Sequence, residues 1–301
     1  MTNKFFVKNT GFIKASGTDL IDFLNRMSTN DLRKFPTDEY RKTILTTDKG
    51  RITDLIYVFN LKDRQFILTS DNFQDKVITH LEKYIIMDDV KLERSPEKYF
   101  HIVITGDDLK AAAEKLAGTE VQLNRICKIN EDVYLFEDVL GFRSLNIICK
   151  EENLADVKEK LNDYTEQSGE EYEFMRINAA VPEGENEFND NINPMECGLD
   201  KYISFKKGCY IGQEVIARLD SQGKRPKQMV KIVSEEKLNP GDKIFTDEKE
   251  TGFVSSSVAF NGKNSSLGFI RSVDLDYEKE NKYNVRSAAG ESVIIKISKT
   301  N

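Results

Sequence analysis

The sequence predicts an α+β protein with antiparallel sheets and a last quarter that closes into a small antiparallel barrel or sandwich. Strand-like and helix-like segments arrive in blocks rather than in strict alternation, which disfavours a doubly wound parallel sheet. After Pro226 short β runs are punctuated so densely by turn signals that almost no room is left for helix. The chain of 301 residues is long enough for two or three cores.

Residues 3–15 read as extended, with Phe5, Phe6 and Val7 before Gly11 and Phe12-Ile13 after it. A helix follows, because Leu20, Ile21, Phe23, Leu24 and Met27 recur at helical spacing, and Ser16 with Asp19 has the spacing of a capping box. Residues 41–70 predict a meander, with turns at Asp48-Lys49-Gly50 and Lys62-Asp63-Arg64. Asp71 and Gln74 open a second helix that presents Phe73, Val77, Ile78, Leu81 and Ile85 on one face. Strands are expected near 89–93 and 99–105, a helix near 108–117, three β runs over 125–149 and a helix around 151–168. The β runs at 229–233, 243–246, 252–259, 266–271 and 293–297 are separated by Asn239-Pro240-Gly241, Asn261-Gly262 and Gly290. Ser221-Gln222-Gly223-Lys224-Arg225-Pro226 reads as a linker before the last domain.

Composition excludes several function classes. The net charge of −7 lacks the basic footprint of a nucleic-acid binder. No segment approaches the roughly 20 apolar residues of a membrane helix, and the N-terminus turns polar too soon for a signal peptide, so a cytoplasmic protein is expected. Cys127, Cys149, Cys197 and Cys209 have no C-x-x-C spacing, and His80 and His101 are the only histidines, so no metal site is expected and the thiols should be free. Neither a G-x-G-x-x-G nor a P-loop run is present.

Charge is unevenly spread. Residues 150–190 hold thirteen acids against four bases, a net of −9, read as a solvated acidic face or a partner-docking surface. From Lys201 to Gln228 seven bases face two acids, a net of +5, read as an exposed basic loop or the field for an anionic ligand. In this segment Gly208 and Gly212 bracket Cys209 and allow a tight backbone path. A helix is expected to begin near Gln213, with Lys206 and Lys207 upstream. Positive charge and a helix N-terminus both favour a thiolate, so Cys209 reads as an activated thiol or as a buried inert one.

The run Lys207-Gly208-Cys209-Tyr210-Ile211-Gly212-Gln213-Glu214 resembles the signature of the YgfZ family of folate-binding proteins, relatives of the glycine cleavage T-protein (aminomethyltransferase). The resemblance extends to Phe12-Ile13 through Asp19, to Phe23-Leu24 and Thr29-Asn30-Asp31, and to Thr47-Asp48-Lys49-Gly50-Arg51-Ile52 with Asp54. It continues in Arg176-Ile177 with Pro182, Pro194 before Leu199, Gly252 to Ser256 and Leu267 to Ile270.

The resemblance implies two ferredoxin-like α+β subdomains around a central channel holding tetrahydrofolate or another reduced folate, plus a C-terminal β-barrel. The expected parts are residues 1–46 with 150–225, residues 47–149, and residues 226–301. The implied role is assistance to iron–sulfur cluster assembly or repair, with assembly proteins or client enzymes as partners and tRNA-modifying enzymes among the beneficiaries. Cys209 takes the position of the motif cysteine. The expected folate-binding set is Arg176, Asn178, Lys206, Lys207, Gly208, Tyr210, Gln213, Glu214 and Arg218.

The chain departs from T-proteins at two places. Their adjacent acid pair reads Thr53-Asp54, and their pterin-holding Glu reads Asn178, with Ala180 where a Gly is usual. An Asn accepts at one atom and donates at the other, which predicts weaker or differently oriented pterin binding. The alternative function is aminomethyl transfer or folate-dependent demethylation, with Asp54 assisting the attacking amine.

Overall fold

The computed structural model describes residues 3–122, 124–278, 283–286 and 292–300. The turn expected at Gly290 lies outside them. The chain divides into two compact units, the first made of Met1–Thr46, Thr53–Gln167 and Tyr202–Ile211, the second of Thr47–Ile52, Ser168–Lys201 and Gly212–Asn301. The fold is α+β with two ferredoxin-like sheets and a closed barrel.

In chain order the first unit carries β1 (Lys4–Asn9), β2 (Gly11–Ser16), α1 (Leu20–Met27), β3 (Glu39–Thr46), β4 (Ile52–Asn60, whose first residue is assigned to the second unit), β5 (Gln65–Thr69), α2 (Gln74–Glu82), β6 (Lys91–Arg94), β7 (Tyr99–Thr105), α3 (Leu109–Ala117), β8 (Ile126–Asn130), β9 (Val133–Leu140), β10 (Phe142–Lys150), α4 (Leu154–Lys160) and β11 (Thr165–Glu166). One sheet runs β3-β4-β5-β2-β6 and the other β11-β1-β7-β10-β9-β8. The stretch read as one extended segment, 3–15, is thus two strands placed in different sheets.

Side chains alternate across each strand, so each sheet has two apolar faces to cover. Phe12, Tyr40, Phe59 and Phe66 of one sheet meet Tyr99, Tyr134, Phe136 and Ile148 of the other. The opposite faces are covered by helices: α1 and α2 through Phe23, Leu24, Val77 and Leu81, and α3 and α4 through Ala112, Leu116 and Val157. Each fully buried Phe or Leu contributes about 1.5–3 kcal/mol of transfer free energy.

Helix ends separate the expectations that hold from those that do not. At α3, Asp108 caps the Ala111 amide at 2.9 Å and Gly118 ends the helix at φ 70°. At α1 no capping box forms; Asp19 makes no side-chain cap and instead accepts from the Asp89 amide at 2.8 Å. The helix expected over 151–168 is broken. A 3-10 turn (Glu151–Asn153) leads into α4, which stops at Lys160, and the chain then turns to add β11 beside β1.

The second unit carries α5 (Gly169–Asn178), the one-turn α6 (Gly184–Glu187), α7 (Gln213–Ser221) and strands β12 (Lys227–Ser234), β13 (Lys243–Thr246), β14 (Lys249–Phe260), β15 (Lys263–Arg271), β16 (Tyr283–Arg286) and β17 (Ser292–Lys299). The six strands close in the order β12-β15-β14-β13-β16-β17, so the barrel is realised and not the sandwich. Val230, Ile232, Ile244, Val254, Ile270, Val285 and Ile295 fill it. β16 was not anticipated.

Candidate functional site

In the first unit, residues 202–211 form a loop held at both ends by threonines. The Thr29 hydroxyl donates to the Tyr202 carbonyl at 2.7 Å, the Ser204 amide to the Thr29 carbonyl at 2.9 Å, and the Thr46 hydroxyl to the Ile211 carbonyl at 2.5 Å. Between these ends Cys209 is exposed, alone among the four cysteines. Burial pushes the Cys149 thiol up to about 12 and that of Cys197 well above its ordinary value, so both stay protonated and inert. Of the two readings of Cys209, the buried one is therefore excluded.

The basic residues around Cys209 divide. Lys206 is exposed, whereas Lys207 is only 6% exposed. Its Nζ donates to the carbonyls of Asn25, Ser28 (2.7 Å) and Asn30 (2.8 Å) and lies 5.4 Å from the centre of the buried Tyr210 ring. Burial pulls the ammonium down to about 8, against the attraction of Asp31. Gly208 does not need to be glycine, since a Cβ there meets nothing within 4 Å; Gly212 sits at φ 80° as the N-cap of α7 and does. The helix starts at Gln213 as expected. Glu214 and Arg218 are exposed on α7 and Gln213 is half-buried.

Asp54 lies on β4 with 0% exposure. Its carboxylate accepts from the Ser70 amide (2.9 Å), the Ser70 hydroxyl (2.7 Å) and the Leu55 amide (2.9 Å). Burial raises its pKa to about 7 despite these bonds. A carboxyl whose folded pKa exceeds the unfolded value stabilises the fold fully below the unfolded value, and that contribution fades as pH rises through about 7. This is a carboxylate satisfied at a strand end.

In the second unit Arg176, 3% exposed on α5, is fully engaged. It donates to both carboxylate oxygens of Glu173, to the Val181 carbonyl at 2.6 Å and to Glu187 at 3.3 Å. Burial works to lower its pKa, but the bonds to Glu173 and the charge of Glu187 more than reverse that. Glu187, with 0% exposure, also accepts from Ser256 of β14 at 2.7 Å, so the cluster ties α5 and α6 to the barrel. Asn178 is bonded through its amide as well: Nδ2 donates to the Phe174 carbonyl at 2.7 Å and Oδ1 accepts from Ser265 at 3.3 Å.

Two residues further, Ala180 stands at φ 53°, a left-handed conformation that costs a side chain about 1–2 kcal/mol. Ala180→Gly is expected to raise stability by about 0.5–1 kcal/mol in urea denaturation, the gain being net of the extra freedom glycine has when unfolded. A loss of stability would show that the Ala180 methyl makes a favourable contact larger than the strain.

A polar cluster in the first unit escaped the sequence. Asp138 of β9 forms a buried ion pair with Lys42 of β3 and accepts from the hydroxyls of Tyr40 and Tyr57, both at 3.0 Å. Lys42 lies under the rings of Tyr57 (5.5 Å) and Tyr202 (5.0 Å). The partners are 96 residues apart, and no local pattern marks them.

Among the described residues no group of three or more His, Cys, Asp or Glu is placed to hold a metal ion, and no helix is long and apolar enough to cross a membrane.

Residues 5–129 match the family described as GCVT N-terminal domain. The aminomethyltransferase of Lysinibacillus sphaericus (strain C3-41) is 23% identical over 285 residues, covering 88% of this chain and 76% of that protein. The aminomethyltransferase of Staphylococcus epidermidis (strain ATCC 12228) is 22% identical over 308 residues, covering 97% and 85%. The crystal structure of glycine cleavage system aminomethyltransferase T from Bartonella henselae superposes with a TM-score of 0.83 at 14% identity, over 99% of this chain and 85% of that one, a likeness of fold.

Proposed function

We propose, for a chain whose residues 5–129 match the GCVT N-terminal domain family, a folate-binding accessory role of the YgfZ type rather than aminomethyl transfer. Cys209 is its working group, and its partners are iron–sulfur assembly proteins or client enzymes, tRNA-modifying enzymes among them. One contrast carries this reading: the Asp54 carboxylate is closed off by Ser70 and Leu55, while the Cys209 thiol is open to solvent. A general base must reach the proton it moves. A single cysteine cannot ligate a cluster alone, so a partner must supply the remaining thiolates.

The fit of the chain to tetrahydrofolate is uneven. In the first unit Lys206 is an exposed cation suited to a carboxylate of a folate tail; in the second unit Arg218 is likewise exposed. Arg176 does not fit the pterin edge, because its guanidinium is buried and bonded to Glu173, Val181 and Glu187 inside the second unit, whereas Asn178 is exposed and keeps a donor and a lone pair beyond its bonds to Phe174 and Ser265. Bound folate supplies a carrier of one-carbon units; the residues of this chain contribute charge for its tail and an accessible thiol.

The names of the similar proteins favour the second reading, an aminomethyltransferase. Three measurements separate the two. Calorimetric titration with tetrahydrofolate is expected to show binding, and none at high micromolar concentration would sink both. In a strain lacking the native protein, C209A is expected to fail to restore an iron–sulfur enzyme; full rescue would remove the thiol from the mechanism. Methylene-tetrahydrofolate formation from an aminomethyl donor is expected to be absent. Turnover abolished by D54N would establish the transferase instead.

A further inference from the structure

Lys207 looks from the sequence like a charge placed to tune its neighbour Cys209 or to draw in an anion. The geometry gives it a different task. Its side chain is buried, and its three N–H bonds point to the carbonyls of Asn25, Ser28 and Asn30. The Asn25 carbonyl lies in the last turn of α1 and the Ser28 carbonyl at its C-cap, while Asn30 follows two residues beyond. The last carbonyls of a helix lack intrahelical partners and carry the negative end of its dipole. A lysine ammonium, with three donors and a single charge, satisfies them at once. Asp31 and Arg33, in the loop after α1, are the charged groups that act on it.

The consequence falls on the loop. The threonine bonds fix it at Tyr202, Ser204 and Ile211. Lys207 fastens the stretch between them, one residue before Gly208, which has open space where a Cβ would lie. The Tyr210 ring against the Lys207 ammonium holds the far side of Cys209. Cys209 is therefore flanked by a pinned lysine and a pinned tyrosine, with its thiol exposed between them.

We propose that Lys207 is a positioning residue: by capping the C-terminal end of α1 it pins the middle of the 202–211 loop and so fixes where the Cys209 thiol is presented to a partner. The importance of that position rests on the function proposed above; the pinning itself does not. The two are tested apart.

A nitroxide label on Cys209 reads loop mobility directly, in the full chain with the half-buried Cys127 replaced by serine. In K207M the label's rotational correlation time is expected to fall at least threefold, with the far-ultraviolet circular dichroism unchanged. K207Q, which keeps two donors, is expected to fall in between. K206M, which removes the neighbouring exposed charge, is expected to match the parent. Parent-like spectra in both K207M and K207Q would overturn the proposal. So would equal mobilisation in K206M, which would make the effect one of charge. Misfolding of both Lys207 variants would also overturn it, by placing the residue's role in the fold as a whole. Failure of the accessory function appears elsewhere, as full rescue by C209A, and leaves the label result standing.

Discussion

Asp138→Ala is expected to lose about 3–5 kcal/mol of stability in urea or guanidinium denaturation. Both partners of the Lys42–Asp138 pair are 6% exposed. The carboxylate also accepts from Tyr40, Tyr57 and the Val139 amide at 2.8 Å. Truncating it leaves a buried ammonium without its counter-charge and the Tyr57 hydroxyl without its acceptor, while the Tyr40 hydroxyl keeps the Glu137 carbonyl at 2.7 Å. Removing both charges together is a different experiment. A Lys42→Met, Asp138→Leu double variant is expected to recover most of the loss, because the cost of desolvating two ions disappears with them. The pH dependence has a definite sign. Burial pushes the Asp138 pKa up, but the Lys42 charge and the bonds from Lys42 and the tyrosines bring it below the ordinary carboxylate value. A depressed carboxyl contributes stability above its unfolded pKa and loses it as pH falls through the folded one. The acid limb of the native protein should therefore be steeper than that of Asp138→Ala. A loss under about 1 kcal/mol, or parallel acid limbs, would mean that the pair is not the electrostatic centre its geometry makes it.

What the sequence reveals and what it hides have separate physical causes. Features read correctly are local in the chain. The helix expected near 108–117 forms as α3, and the groups that end it, Asp108 and Gly118, act within a few residues of it. The start of α7 after Gly212 and the turn-dense barrel are legible for the same reason. Features that were missed depend on who sits opposite in space. Ser16 and Asp19 have capping spacing, yet the Asp89 amide, 70 residues away, takes the Asp19 carboxylate. Arg176 looks like a ligand-binding group until Glu173 and Glu187 are seen to hold its buried guanidinium. Lys207 is the sharpest case: the motif marks the residue, but its three acceptors lie about 180 positions earlier. The exposure of Cys209, on which the proposed function turns, is likewise invisible in a string of letters.

Gly252 and Gly268 in the barrel are glycines that space requires, and Gly208 beside Cys209 is one that it does not. In β14, a Cβ on Gly252 would lie 2.1 Å from the Phe269 carbonyl oxygen and 3.0 Å from its carbon, both backbone atoms of the paired strand β15. Backbone in a closed barrel cannot step aside without breaking ladder bonds, so Gly252→Ala is expected to cost about 3 kcal/mol or more, at or beyond the upper end of ordinary overpacking. Gly268→Ala meets the Phe253 carbonyl and the Ile232 methyl, both at 2.7 Å; one obstacle is a side chain that can turn, so a smaller loss of about 1–3 kcal/mol is expected. Amide exchange should report each loss first in β14 and β15. Gly208→Ala is the counterpart, with no atom within 4 Å of the new methyl, and its stability is expected to stay within about 0.5 kcal/mol of the parent. That contrast gives the site its own control. If Gly208→Ala is stable yet fails to restore an iron–sulfur enzyme, the glycine beside Cys209 is needed for the approach of a partner and not for the fold. If Gly252→Ala is as stable as the parent, the close strand pairing at β14 and β15 is not what requires glycine there.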